Sequence, residues 1–204
     1  MLRAAIVGLG RWGRALVNSV KDSGSDIRFV AAHTRTRASA EAFCRDHGIP
    51  LVDRYEDLLG DRNIDAVVLA TPHSQHEQQV LAAAAAGKHV FVEKPITLQR
   101  QSARRVADTV RDAGLTLAVG FCRRFHPSII EIRQRLRAGE LGTLVSMIGQ
   151  QTSNTAPFLP ADNWRSDPKE SPAGSMTAVG VHLLDHMIEY AGRVREVHCI
   201  TQRV

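Results

Sequence analysis

Cysteine is scarce in this sequence. Cys44, Cys122 and Cys199 are far apart and odd in number among 204 residues. They build neither a metal-binding spacing nor a disulfide framework, which fits a reducing compartment. Long apolar runs are missing as well: nothing approaches the roughly 18 consecutive residues of a membrane span. The N-terminal "MLRAAIVGLG" has no apolar core of useful length before Gly8 and no small-residue cleavage site. These absences predict a cytoplasmic protein without a membrane partner or a bound metal. There is no block of like charge. The net charge of +5 is spread along the chain, which reads as a solvated basic surface and argues against nucleic acid as a partner. Fixed-period repeats and low-complexity tracts are absent, and a composition of 44% hydrophobic and 23% charged residues carries no disorder signature.

What is present is a rhythm. Short apolar runs rich in Val and Ala alternate with longer helical patterns from residue 2 to about 121. The runs "RAAIVG", "IRFVAAH", "LVD", "IDAVVLAT", "KHVFVEK" and "LTLAVGF" read as strands. Between them lie helices at about 11–22, "ASAEAFCRDHG", "YEDLLGD", "SQHEQQVLAAAAAG" and "LQRQSARRVADTVRDAG". Strand runs without alternation mean burial on both faces, as in a parallel sheet covered by helices. The fold class expected is α/β, a doubly wound parallel sheet over 1–121. Residues 122–204 read as the beginning of an α+β domain for substrate binding or oligomerisation. There "HPSIIEIRQRLRAGELG" and "SMTAVGVHLLDHMIEYAG" are expected helices, "TLVSMIGQQT" and "VREVHCITQRV" expected strands, and 153–174 a loop. Val181, Leu184, Ile188 and Ala191 fall on one helix face, the expected buried one.

Chemistry enters with "GLGRWG". Gly8, Gly10 and Gly13 follow the first strand and open a helix. In a dinucleotide site the first glycine permits the tight turn, the second lets a pyrophosphate approach the backbone, and the third allows close helix–strand packing. The helix N-terminus then offers donors and partial positive charge, so Gly8, Leu9, Gly10, Arg11, Trp12 and Gly13 are the candidate phosphate contacts. An NAD-preferring site would carry an acidic residue at the end of the second strand, and "AAHTRTR" has none. Thr34, Arg35 and Arg37 stand where a ribose 2′-phosphate would lie, and guanidinium is its natural bidentate partner. NADP is therefore favoured over NAD; the alternative is surface arginine at a helix start.

A second pattern is "FVEKPITL", residues 91–98, in which an apolar strand ends on Glu93 and Lys94 followed by Pro95. Proline bars Lys94 from the helical region and is a candidate for a cis bond. The carboxyl end of a parallel strand also places the ammonium in the ligand crevice. The alternative is a structural ion pair of Glu93. In "ATPHSQH", Ser74 and Glu77 have the spacing of a capping box.

Taken with "GFCRRF" at 120–125, "NWR" at 163–165 and "GVHLLD" at 180–185, these motifs resemble, in order and spacing, the Gfo/Idh/MocA oxidoreductases, relatives of glucose–fructose oxidoreductase and inositol dehydrogenase. The resemblance implies an NAD(P)-dependent dehydrogenase of sugars, polyols or related hydroxy compounds. It implies that Lys94 contacts the substrate oxygen, that Glu93 orients the cofactor or its loop, and that Thr71, Pro72, His73 and His76 lie at the ribose and nicotinamide. Trp164 and Arg165 would face the substrate, and Arg124 would be structural. His182 would be the proton carrier, as an imidazole suits both reaction directions, with Asp185 on the same helix side. His186 is a weaker candidate, and His126, before Pro127, reads as a loop residue. The family's usual Asp four residues before the His is Ala178 here. The resemblance also implies that much of the second domain is missing, with an exposed sheet edge there driving homo-oligomerisation. The alternatives are a non-catalytic dinucleotide-binding sensor and an inactive fragment of the same family.

Overall fold

The computed structural model describes every residue except 22, 153–157, 159–162 and 203–204. The chain divides into two compact units, Met1–Gly120 and Phe121–Val204. In the first, strands β1 (Leu2–Val7), β2 (Ile27–His33), β3 (Leu51–Val52), β4 (Ala66–Leu69), β5 (His89–Val92) and β6 (Leu117–Val119) alternate with helices α1 (Arg11–Val20), α2 (Glu41–Asp46), α3 (Tyr55–Gly60), α4 (His76–Ala85) and α5 (Arg100–Asp112). All pairs are parallel and the order is β3-β2-β1-β4-β5-β6, as in doubly wound dinucleotide folds. The chain reverses its direction of travel across the sheet between β1 and β4, so a crevice opens beyond their carboxyl ends.

Alternation along β1 divides the core in two. Ala5 and Val7 join Val67, Leu69, Val90 and Val92 under α4 and α5. Ala4 and Ile6 join Val17 of α1 with Phe29 and Cys44 on the other face. Each fully buried Val, Leu or Ile contributes roughly 1.5–3 kcal/mol, which is why the fully buried strand positions are apolar. Ala83 and Ala84 of α4 are buried in the first layer, where small side chains bring the helix close to the sheet. At the amino rim Arg3 clamps β1 to β4 by donating to Asp65 from Nε (3.0 Å) and Nη2 (2.7 Å). That charge-assisted contact holds the Asp65 carboxyl below its ordinary value.

The second unit contains α6 (Pro127–Arg137) and α7 (Val181–Ala191), the latter entered through a π-helical turn at Met176–Gly180. The expected strands at 143–152 and from 194 onward are not formed among the described residues, 203–204 lying outside them. A strand persists only when its backbone groups find a partner, and none is described in this unit. The expected buried face of α7 is also reversed. Leu184 (47%) and Ile188 (45%) are exposed, whereas His182, Asp185 and His186 are buried. The reason is ionic: Arg124 pairs with Asp185, and Arg133 of α6 pairs with Glu189 at 3.1 Å. These partners draw the polar face inward.

Candidate active site

The turn after β1 is shaped by what glycine lacks. Gly8 has φ +92°, and a Cβ there would stand 2.7 Å from the Ala70 carbonyl oxygen at the end of β4. A Cβ on Gly13 would overlap the Gly8 carbonyl oxygen, so α1 can lie this close to β1 only with glycine. Gly10 is different: nothing lies within 4 Å of where its Cβ would be. That open space lets an anion reach the backbone. Gly10 is also the N-cap of α1, which has no side-chain cap and no acidic residue in its first turn. The helix start therefore keeps its donors and its partial positive charge, and the residues present fit a pyrophosphate. Arg11 and Trp12 are exposed there, whereas the Leu9 side chain is buried and its amide faces Thr34 Oγ1 at 3.4 Å.

Arg14 was not singled out by sequence reasoning, yet it braces this turn. Its Nε donates to the Leu9 carbonyl at 3.1 Å, a second nitrogen reaches the Ser39 carbonyl, and the guanidinium lies 5.3 Å from the Phe43 ring centroid. Its position directly after the motif's last glycine was the only available signal. At the end of β2, Arg37 is held by Asp53 (2.5 Å), Glu41 (3.3 Å) and the Leu51 carbonyl (3.2 Å). Arg35 is exposed beside it. Of the two arginines, Arg37 is the one committed to internal carboxylates.

Beyond β4, Thr71 Oγ1 donates to Gln79 Oε1 at 2.6 Å, and Pro72 leads into a 3-10 turn at His73–Gln75. That turn delays α4 until His76, so the expected Ser74–Glu77 capping box does not form; Gln75 is the N-cap and supplies no side-chain bond. Glu77 instead accepts from Arg105 Nε at 3.0 Å, a stronger, charge-assisted contact. His73 is buried and meets His76 edge to face at 5.8 Å. His76 is fully buried and presents no surface to a nucleotide, which corrects its assignment as a cofactor contact.

At the end of β5 the Lys94–Pro95 peptide is cis. Glu93 is buried, with Oε2 facing the Lys94 amide at 3.3 Å. A Cβ on Gly120 would come within 2.8 Å of the Glu93 carboxyl carbon, so the glycine after β6 makes room for that carboxylate. Lys94 itself is half-buried. The first unit thus gathers the glycine turn, Thr34, Thr71–His73 and Lys94 along one carboxyl rim.

In the second unit His182 occupies the first turn of α7 and meets the Phe121 ring edge to face at 5.9 Å. Asp185 departs from its expected role. Both its oxygens accept from Arg124, from Nε at 2.6 Å and from Nη2 at 2.5 Å, and this bidentate bond occupies the carboxylate before any substrate could. The same contact raises the Arg124 guanidinium above its ordinary value. Ala178 lies within the π-helical turn. Trp164 is half-buried, with the exposed Arg165 guanidinium stacked 4.2 Å from its ring. His126 caps α6 by accepting from the Ser128 amide. Among the described residues no three His, Cys, Asp or Glu side chains gather as a metal site, and no helix is long and apolar enough to cross a membrane.

Burial pushes the His186 imidazole below its ordinary value, against the pull of Asp185 and Glu189 and with help from Arg123 and Arg124. Its Nδ1 is buried without a hydrogen-bond partner among the described residues. The unfolded chain binds that proton more readily, so stability is lost as pH falls through about 6.5. Thermal melts should show a smaller acid-side fall in Tm for His186→Leu than for the parent between about pH 7 and 5. Equal slopes would assign the acid loss to other groups.

The model for an oxidoreductase family with an NAD-binding Rossmann fold matches residues 2–121. The chain belongs to the Gfo/Idh/MocA family. Its C-terminal domain model matches residues 129–204. Among Gfo/Idh/MocA relatives, the chain is 35% identical over 158 residues to a scyllo-inositol 2-dehydrogenase (NAD(+)) of Bacillus subtilis, covering 76% of this chain and 46% of that one. It is 36% identical over 191 residues to a D-xylose 1-dehydrogenase (NADP(+)) of Haloferax volcanii, covering 92% and 56%. A solved oxidoreductase of Thermotoga maritima superposes with TM-score 0.79 at 26% identity over 94% of this chain and 60% of that one. The chain spans about half the length of the curated relatives it matches.

Proposed function

We propose that the chain carries the dinucleotide-binding part and residues of the substrate part of an NAD(P)-dependent oxidoreductase acting on a sugar, polyol or related hydroxy compound. The first domain is taken as 1–121 and the second as 122–204. The observation that carries this reading is the open glycine turn at the uncapped start of α1, on the same sheet rim as the Lys94–Pro95 turn. The named inositol and xylose dehydrogenase relatives support the substrate class.

The nicotinamide supplies or accepts the hydride. The chain's own residues do the rest. Backbone donors of residues 9–13 bind the pyrophosphate, Gly10 leaving room for it. Thr71, Pro72 and His73 border the ribose and nicotinamide. The Lys94 ammonium donates to the reacting oxygen and steadies the charge that grows there as the proton leaves. His182 takes that proton in oxidation and returns it in reduction. Arg165, held on Trp164, is the candidate to meet a hydroxyl-rich or anionic substrate.

NADP is favoured over NAD because no acidic residue follows β2 and Arg35 is exposed there. Arg35→Ala is expected to weaken NADPH about tenfold or more and to leave NADH within about twofold. Fluorescence titration reads both, and an unchanged preference would remove the case for NADP. A cytoplasmic homo-oligomer remains our expectation, supported by the exposed apolar face of α7 rather than by a sheet edge. Screening polyols and aldoses for absorbance change at the reduced nicotinamide tests the activity. Nucleotide binding without turnover on any of them, unaffected by His182→Ala, would favour a sensor.

A further inference from the structure

His76 is the first residue of α4, and its side chain is fully buried. Its Nδ1 lies 2.8 Å from the Pro95 carbonyl oxygen and its Nε2 3.1 Å from the Thr71 carbonyl oxygen. These two carbonyls belong to different loops. The β4–β5 register ends at Leu69↔Val92, and one further bond follows, from the Glu93 amide to Leu69 at 2.9 Å. Past that point each loop leaves the sheet, and the imidazole spans them. A carbonyl oxygen can only accept, and Pro95 is bonded directly to Lys94. The shorter contact is therefore a donor from a rigid helix start to the residue that follows the candidate substrate-binding lysine.

We infer that His76 is a positioning residue: through Nδ1–H to the Pro95 carbonyl it fixes the turn that aims the Lys94 ammonium. It touches neither cofactor nor substrate. The inference rests on the functional reading above only for its catalytic consequence, because the orientation of Lys94 is measurable without turnover.

The test uses three variants of the full chain and two readouts. Asn places an amide N–H near the position of Nδ1, whereas Gln places one near Nε2, so His76→Asn can retain the Pro95 bond and His76→Gln cannot. The first readout is the rate of Lys94 acetylation by acetic anhydride, followed by peptide mass against Lys21 and Lys169 in the same sample. The second is kcat beside the nucleotide dissociation constant. In His76→Ala and His76→Gln the Lys94 rate should change at least about threefold and kcat should fall about tenfold or more, with nucleotide affinity within about threefold. His76→Asn should stay within about twofold of the parent on all three measures. Equal behaviour of Asn and Gln, or an unchanged Lys94 rate in Ala with only a lower Tm, would overturn the inference. If Ala fails to fold, the Asn–Gln comparison decides. If the parent binds nucleotide but turns over no substrate, the functional reading fails and the acetylation rates still judge the role of His76.

Discussion

Lys94→Ala should lower turnover about 100- to 10,000-fold while the dissociation constant for the reduced nucleotide moves less than about threefold. The expectation follows from where the lysine sits. It is the second residue after β5, set between the buried Glu93 and Pro95. An ammonium there lies beyond the phosphate-binding turn, so its removal leaves the pyrophosphate contacts of the α1 start intact. What is lost is the donor that meets the developing oxyanion, an interaction stronger in the transition state than in the ground state. Stopped-flow reduction with a saturating substrate separates the two quantities. Equal falls in affinity and turnover would mean that Lys94 serves the cofactor rather than the substrate.

Gly13→Ala is the second large effect expected, and it differs in kind. The added Cβ overlaps the Gly8 carbonyl oxygen, which is backbone in a turn already at φ +92°. Neither side can yield cheaply, so α1 must shift from β1. Overpacking of this sort costs about 1–3 kcal/mol, and displacing the helix start removes the anion site with it. Both Tm and nucleotide affinity should therefore fall, the affinity by about 100-fold or more. Gly10→Ala is the matched control. Its Cβ meets nothing within 4 Å, so Tm should hold while affinity drops through obstruction of the phosphate alone. Calorimetry with and without nucleotide distinguishes the pair. Identical stability losses in both would contradict the reading of the two glycines.

The first unit was legible in the sequence because each of its signals is local. Unbroken apolar runs such as "AVVL" and "VFV" could only be strands covered on both faces, and β1 feeds two cores as that reading requires. The glycines announced the turn because each does something no other residue can do in that place. What escaped notice was set by partners distant in sequence. Ser74 and Glu77 have the spacing of a capping box, but a 3-10 turn displaced the helix start and Arg105, 28 residues away, claimed the glutamate. His76 looked like a cofactor ligand by its motif; only its burial and the Pro95 carbonyl, 19 residues away, revealed a different role. In α7 the 3.6-residue apolar period named the wrong face. Arg124 and Arg133 pair with Asp185 and Glu189 across 61 and 56 residues, and no helical period encodes that. The runs at 143–152 and 194–202 have strand composition, but strand formation needs a partner that composition does not supply.

The central claim is that a pyridine nucleotide lies across the carboxyl rim between β1 and β4, with its reactive ring near Lys94. Titrating the isotope-labelled chain with NADPH and following backbone amide resonances tests it most directly. The largest changes should fall on residues 8–13, on Thr34 and Arg35, on Thr71 and His73, and on Glu93 and Lys94. Saturable binding that leaves the glycine turn and Lys94 unmoved, or no binding of either nucleotide, would contradict it.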